Sequence, residues 1–259
     1  MTTAQAQLAR RLGVHNSAPA ASVHLTQCGV LRSAPDARWM RFTARQIICT
    51  GRPAFRWRAK VGPLGVVQVR DELWDGRPAG SARLLGLLPL ARAKPSVELL
   101  QGELMRYLAE LPWVPDALLA NPKLYWERQD KGRLTVSAEM GGGIGKLDFL
   151  LDASGLPIRV EGERPRQEGS SYYLRPWWVA SATTARFREG RYLGRRRSVG
   201  WWTIAASPFG AANCLAGSCN PTIVSDHLAR SCCGHVVAIA SSAYRAEESH
   251  NYPEVAFHP

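Results

Sequence analysis

Residues 95–119, PSVELLQGELMRYLAELPWVPDALL, decide the fold, because here the apolar pattern of the chain runs at helical spacing. Val97, Leu100, Leu104, Leu108 and Leu111 recur at intervals of three and four behind Ser96, a side chain suited to capping the first turn, and Pro112 stops the run. This spacing predicts one amphipathic helix from about Leu99 to Leu111. The WVPDALL that follows reads as a second short helix with Pro115 near its first turn.

Outward from this helix the pattern is that of strands. On the N-terminal side lie VHLTQCGVL (23–31), WMRFTARQIICT (39–50), AFRWRAKV (54–61), VVQVRDELW (66–74) and a single return strand SARLLGLLPLARA (81–93). Phe55, Trp57 and Ala59 alternate with Arg56, Arg58 and Lys60, giving one apolar and one cationic face. Asp75-Gly76 is a tight-hairpin dipeptide, since glycine accepts positive φ without steric cost. On the C-terminal side come KLYWERQD (123–130), RLTVSAEM (133–140), IGKLDFLLD (144–152) and LPIRVEGERPR (156–166). YYLRPWWVASATTARF (172–187) follows as an edge segment, where Pro176 is tolerable. GGGIG (141–145) is followed by a strand, not by a helix N-terminus that could hold a phosphate, and reads as a bend between strands.

Successive hairpins with one apolar helix predict a mainly β, α+β domain. It would be a curved antiparallel meander or open half-barrel with the helix packed on its concave face. The expected organisation is a lead-in over 1–22, helical or disordered, the sheet-and-helix domain over 23–209, and an atypical, poorly ordered tail over 210–259. The tail is abruptly rich in Cys, Ser and Ala and reads as a frameshift product or an unrelated extension.

With 259 residues and 46% apolar content the chain can bury a core without disulfide or metal staples. No apolar run approaches the roughly 18 residues that span a bilayer, and no apolar h-region precedes the small residues of SAPAAS, so the expected address is the cytoplasm. A longer N-terminus would reopen export. The net charge of +12 is spread along the chain, and the Arg195–Arg197 run is shorter than a typical nucleic-acid patch. Specific nucleic-acid binding is therefore not expected, and weak binding through the basic surface stands third among the functional readings.

The order WMRFTARQ, FRWRAKV, RDELWDG, LLGLLPL, GELMRYLAELPWVPDALL, LDASGLP and RPWW resembles the bacterial domain-of-unknown-function 6544 family over roughly residues 23–190. That resemblance implies a class and no catalytic residues. More loosely, the F-x-W strand and D-x-x-W-D-G hairpin are similar to periplasmic lipoprotein carriers, which implies a half-barrel holding a hydrophobic ligand beside helices.

The tryptophans and the charged residues of the helix supply the candidate site. Trp57, Trp74, Trp113 and Trp126, with Glu103, Arg106 and Tyr107, are the expected lining of a pocket for an apolar or anionic small molecule. No cofactor is expected. Ordinary core packing of the aromatics and surface ion pairing of Glu103, Arg106 and Glu110 are the plainer alternatives. An enzyme using Glu103, Arg106 and Asp71 in a charged cavity is the rival function, although no nucleophile motif or histidine arrangement accompanies it. Arg70 and Asp71 must face opposite sides of their strand, and whichever points inward needs a partner, for which Glu103 and Arg106 are the candidates. Cys214, Cys219, Cys232, Cys233 and His235 could supply four zinc ligands, but the adjacent cysteines make the spacing unorthodox.

Overall fold

A computed structural model describes residues 3–14, 18–33, 37–128, 130 and 132–180, together with the backbone of 191–192, 195–196 and 213–218. The domain is built of open antiparallel sheets around a helix, as the alternation of the sequence predicts. Six strands run in chain order: β1 (Ser22–Arg32), β2 (Met40–Cys49), β3 (Phe55–Val61), β4 (Val67–Trp74), β5 (Arg77–Leu84) and β6 (Leu88–Arg92). Five more follow the helical segment: β7 (Tyr125–Arg128), β8 (Arg133–Met140), β9 (Gly143–Leu151), β10 (Pro157–Glu168) and β11 (Ser171–Ala180). Two-residue strands β12 (Arg191–Tyr192) and β13 (Arg195–Arg196) pair with each other, and β14 (Asn213–Ser218) pairs antiparallel with β1. The strand order is β14-β1-β2-β3-β4-β5-β6 in one sheet and β11-β10-β9-β8-β7 in the other. Pro176 therefore lies in an edge strand, where its missing N–H costs no ladder bond.

Helix α2 (Val97–Ala109) packs against β4 and β5 of the first sheet and β8, β9 and β10 of the second. Ser96 caps it, its hydroxyl accepting from the Leu99 N–H at 3.1 Å. Because both sheets cover it, α2 is buried from Leu99 to Ala109 except at Gln101, whereas Val97 is exposed. The amphipathic expectation is corrected to that extent: the face carrying Glu103, Arg106 and Glu110 is buried too, and these charges are not surface ion pairs. Close contact with the second sheet depends on glycine. A Cβ at Gly145 would stand 2.8 Å from the Leu104 Cβ, and one at Gly162 would stand 3.3 Å from the Met105 Cε.

Helices α1 (Thr3–Arg11) and α3 (Pro115–Ala120) pack together, and Leu8, Leu12, Ala117 and Leu118 join the same core. Two tight turns follow the sequence reading. Asp75-Gly76 joins β4 to β5 with both φ angles positive, and Gly141-Gly142 does the same between β8 and β9. One strand does not. The segment 81–93 breaks at Leu85-Gly86-Leu87 into β5 and β6, with Leu85 at φ 53° and Gly86 at φ 75°. The internal Gly86, read as part of a strand, is the turn residue that permits this reversal.

Candidate functional site

The inner face of the first sheet follows the period of two, and its polar members stand where an apolar residue would be ordinary. On β4, Asp71 precedes the fully buried Leu73 on the inner face, while Arg70 points outward and pairs with Glu72. On β2, Gln46 falls between the buried Ala44 and Ile48. The register then aligns Gln46, Trp57 and Asp71 as cross-strand neighbours on β2, β3 and β4.

Helix α2 brings Arg106 to this row. Its guanidinium donates to Asp71 and, through Nε at 2.9 Å, to Glu110 one turn further along. It also lies 4.8 Å from the ring centre of Phe55 and 5.2 Å from that of Trp57, so aromatic faces complete its enclosure. From Glu110 the chain of bonds continues across the inner face of the sheet. Gln46 donates to Glu110, Gln27 donates to Gln46 at 2.8 Å, and the Trp57 indole donates to Gln27 at 2.7 Å. Every one of these side chains is buried.

On the other side of α2, Arg164 of β10 donates from Nε to the Gly102 carbonyl at 3.2 Å, an approach that a side chain at 102 would crowd. Its Nη2 lies 3.8 Å from Glu103 Oε1. Glu103 is 0% exposed, and neither of its carboxyl oxygens has a hydrogen-bond partner. Asp71 Oδ1 and the indole nitrogens of Trp113 and Trp126 are likewise buried without partners. Such atoms are uncommon in native interiors, where buried polar groups are nearly always hydrogen-bonded.

Three carboxyl groups thus meet two guanidinium groups in a low-dielectric interior. Burial pushes Asp71 and Glu110 above the ordinary carboxylate range, against the pull of Arg106 on each. Glu103 is pushed up to about 8 by burial and by the charge of Asp71. Burial works against the charge of Arg106, but the carboxylates of Glu110, Asp71 and Glu103 together hold its pKa above normal. Burial lowers that of Arg164.

The residues named from sequence divide between this interior and elsewhere. Trp57, Glu103, Arg106, Tyr107 and Trp126 are buried, and Trp113 is half-buried. Tyr107 donates to the Cys49 carbonyl at 3.0 Å and accepts from Asn121 at 2.9 Å. Trp74 does not join them. Alternation along β4 turns it to the opposite face from Asp71 and Leu73, where the guanidinium of Arg56 lies 3.8 Å from its ring centre. Asp71, Glu103 and Arg106, the residues of the enzymatic alternative, do meet, but at 1%, 0% and 7% exposure. A solvent-facing cleft of about 130 Å³ between α1 and the turns of the second sheet is lined by Arg11, Arg128, Arg133, Asp130 and Asp152 and includes none of these residues.

Gln27, Gln46 and Arg164 are missed by the sequence reading. Their signal is a polar residue interrupting an apolar face of period two. Among the described residues no group of three or more His, Cys, Asp or Glu is arranged to hold a metal ion. The proposed zinc ligands lie outside the residues whose side chains are described. No helix of the described residues is long and apolar enough to cross a membrane.

Fold and site together define an α+β domain of open antiparallel sheets with a charged cluster on a helix buried between them. The chain belongs to the Family of unknown function (DUF6920), whose model matches residues 8–207. This corrects the family number suggested by the motifs: 6920, not 6544. No functionally curated protein is significantly similar in sequence. Among solved structures, the chain is similar to a putative outer membrane lipoprotein-sorting protein domain from Vibrio parahaemolyticus at 12% identity and TM-score 0.43, covering 86% of this chain and 94% of that one. It is also similar to a DUF1329 family protein from Desulfovibrio piger ATCC 29098 at 11% identity and TM-score 0.41, with the same coverage.

Proposed function

We propose that the domain is a non-enzymatic binding module for a hydrophobic or amphipathic small molecule, held between the sheets beside α2 with its polar end on Glu103 and Arg164. The observation that carries this reading is the Glu103 carboxyl group, fully buried, 3.8 Å from a guanidinium and without a hydrogen bond to either oxygen. A ligand hydroxyl or carboxyl would supply the missing partners. A neutral Glu103 can donate to it while Arg164 donates or neutralises its charge. Trp113 and Trp126 offer two further unsatisfied donors, and the apolar residues around them suit a hydrocarbon body.

Helix α2 is the element that must yield. It rests on the first sheet partly through ionic contacts and on the second through glycine-lined approaches. A small shift of α2 would admit a chain between it and β9 or β10.

Titration with N-phenyl-1-naphthylamine, an uncharged apolar fluorophore, tests this. The reading predicts a saturable fluorescence rise that a long-chain fatty acid reverses, and a weaker response from Glu103→Ala. No saturable rise with wild-type protein would overturn it.

A further inference from the structure

A different set of residues points to where the protein works. The β5–β6 turn and the short 3-10 turn Pro63–Gly65 lie side by side, since Leu84 pairs with Val67 and the Leu85 N–H donates to the Val66 carbonyl at 2.7 Å. At this corner Leu64 is 101% exposed, Leu87 81%, Leu85 64%, Leu88 61% and Leu90 56%. Scattered exposed leucines are ordinary on a protein surface, but five at one corner of a sheet are not.

Two of the five are held in a conformation that leucine avoids. Leu64 has φ 55° and Leu85 has φ 53°, the left-handed region where glycine or asparagine is the economical choice. A large apolar side chain is kept at each tip despite the backbone cost. The charged side chains described beside them are basic. Exposed Arg83 stands next to Leu84 opposite Pro89, exposed Arg92 lies two residues beyond Leu90, and exposed Arg41 accepts the Gly62 N–H through its carbonyl. Lys60 packs beside Gly65 on the adjoining turn.

We infer that this leucine corner inserts into the surface of a bilayer containing anionic lipid, with the surrounding Arg and Lys on the headgroups. Apolar tips ringed by cations match the two layers of such a surface, apolar below and anionic above. A second copy of the chain is the less fitting occupant. Pro89 sits within β6, the edge strand, and removes a donor that strand-to-strand pairing would need, and two copies would bring like charges together.

Co-sedimentation with vesicles tests the inference using the full chain. Phosphatidylcholine vesicles with and without about 30% phosphatidylglycerol serve as probes, the anionic lipid supplying the negative surface potential that attracts basic side chains. Wild-type protein should bind the anionic vesicles, and Leu87→Ser/Leu88→Ser should bind about tenfold less tightly while keeping the wild-type circular dichroism spectrum. Equal binding by this variant would show that charge alone is responsible and would overturn the insertion. So would absence of vesicle binding, and so would a dimer, seen by light scattering, that the double substitution dissolves without any vesicle binding by the wild type.

Discussion

Arg164 Nη2 and Glu103 Oε1 stand 3.8 Å apart, both buried, at the contact between α2 and the second sheet. The separation is that of an ion pair without a hydrogen bond, and neither Glu103 oxygen has a hydrogen-bond partner among the described residues. The neighbouring Arg106 is by contrast bonded to Asp71 and Glu110. One helix therefore carries a hydrogen-bonded guanidinium and a carboxyl group without a hydrogen bond a single turn apart.

The first consequence is a pH dependence of stability. Glu103 titrates near 8 in the folded chain against an ordinary value of 4.5, so between these values the folded state binds a proton that the unfolded state has released. Its contribution is full below pH 4.5, declines as pH rises and is lost above about 8. Glu103→Gln keeps the neutral shape without the titration. Its melting temperature should exceed that of wild type by about 10–20 °C at pH 9, since the rise from 4.5 to about 8 corresponds to roughly 5 kcal/mol and a domain this size shifts by roughly 2–4 °C per kcal/mol, and match it near pH 4. Thermal unfolding across pH 4–9 checks this.

Removing Arg106 should be far more damaging. Arg106→Met leaves Asp71 and Glu110 buried without their cation, a loss of about 3–5 kcal/mol. Adding Asp71→Asn and Glu110→Gln removes the stranded charges and should recover more than half of that. Urea denaturation of the single and triple variants measures both.

Gly145→Ala should also destabilise, by about 1–3 kcal/mol, because its Cβ would stand 2.8 Å from the Leu104 Cβ and 3.1 Å from the Met105 nitrogen. The neighbouring backbone of α2 cannot turn aside as a flexible side chain would. Gly142→Ala is the control for positive φ without a clash, since φ is 82° and nothing lies within 4 Å. Denaturant midpoints of the two variants separate the effects.

At the leucine corner, stability and binding should move in opposite directions. Leu85→Gly relieves a left-handed leucine and keeps the N–H that bonds to Val66, so the domain should gain up to about 1 kcal/mol. The same change should weaken binding to anionic vesicles. Denaturation and co-sedimentation of one preparation read both.

How much of this was legible in the sequence follows from which signals are periodic. The strands flanking AFRWRAKV and the helix after Ser96 show plainly, because alternation of two and spacing of three and four depend only on which face meets the core. The Leu85-Gly86 reversal was hidden inside an unbroken apolar run, where no polar residue marks the turn. The helix was read as one-sided because a single sequence does not reveal that a second sheet will cover the other face. The same blindness left surface ion pairing of Glu103, Arg106 and Glu110 open beside a pocket reading, and put Trp74 among the pocket residues although it faces the other side of its strand. Gln46 and Arg164 belong to strands whose pattern is otherwise ordinary, and only their pairing in space with α2 gives them a role.

The central claim is that an amphipathic molecule completes the bonding of Glu103. Native mass spectrometry of the full chain purified from its own host, before and after organic extraction, tests it most directly. The account predicts a bound amphiphile on wild-type protein, released by the solvent and absent from Glu103→Ala purified in parallel. Wild-type protein that carries no small molecule in either state, with no fluorophore site in titration, would contradict it.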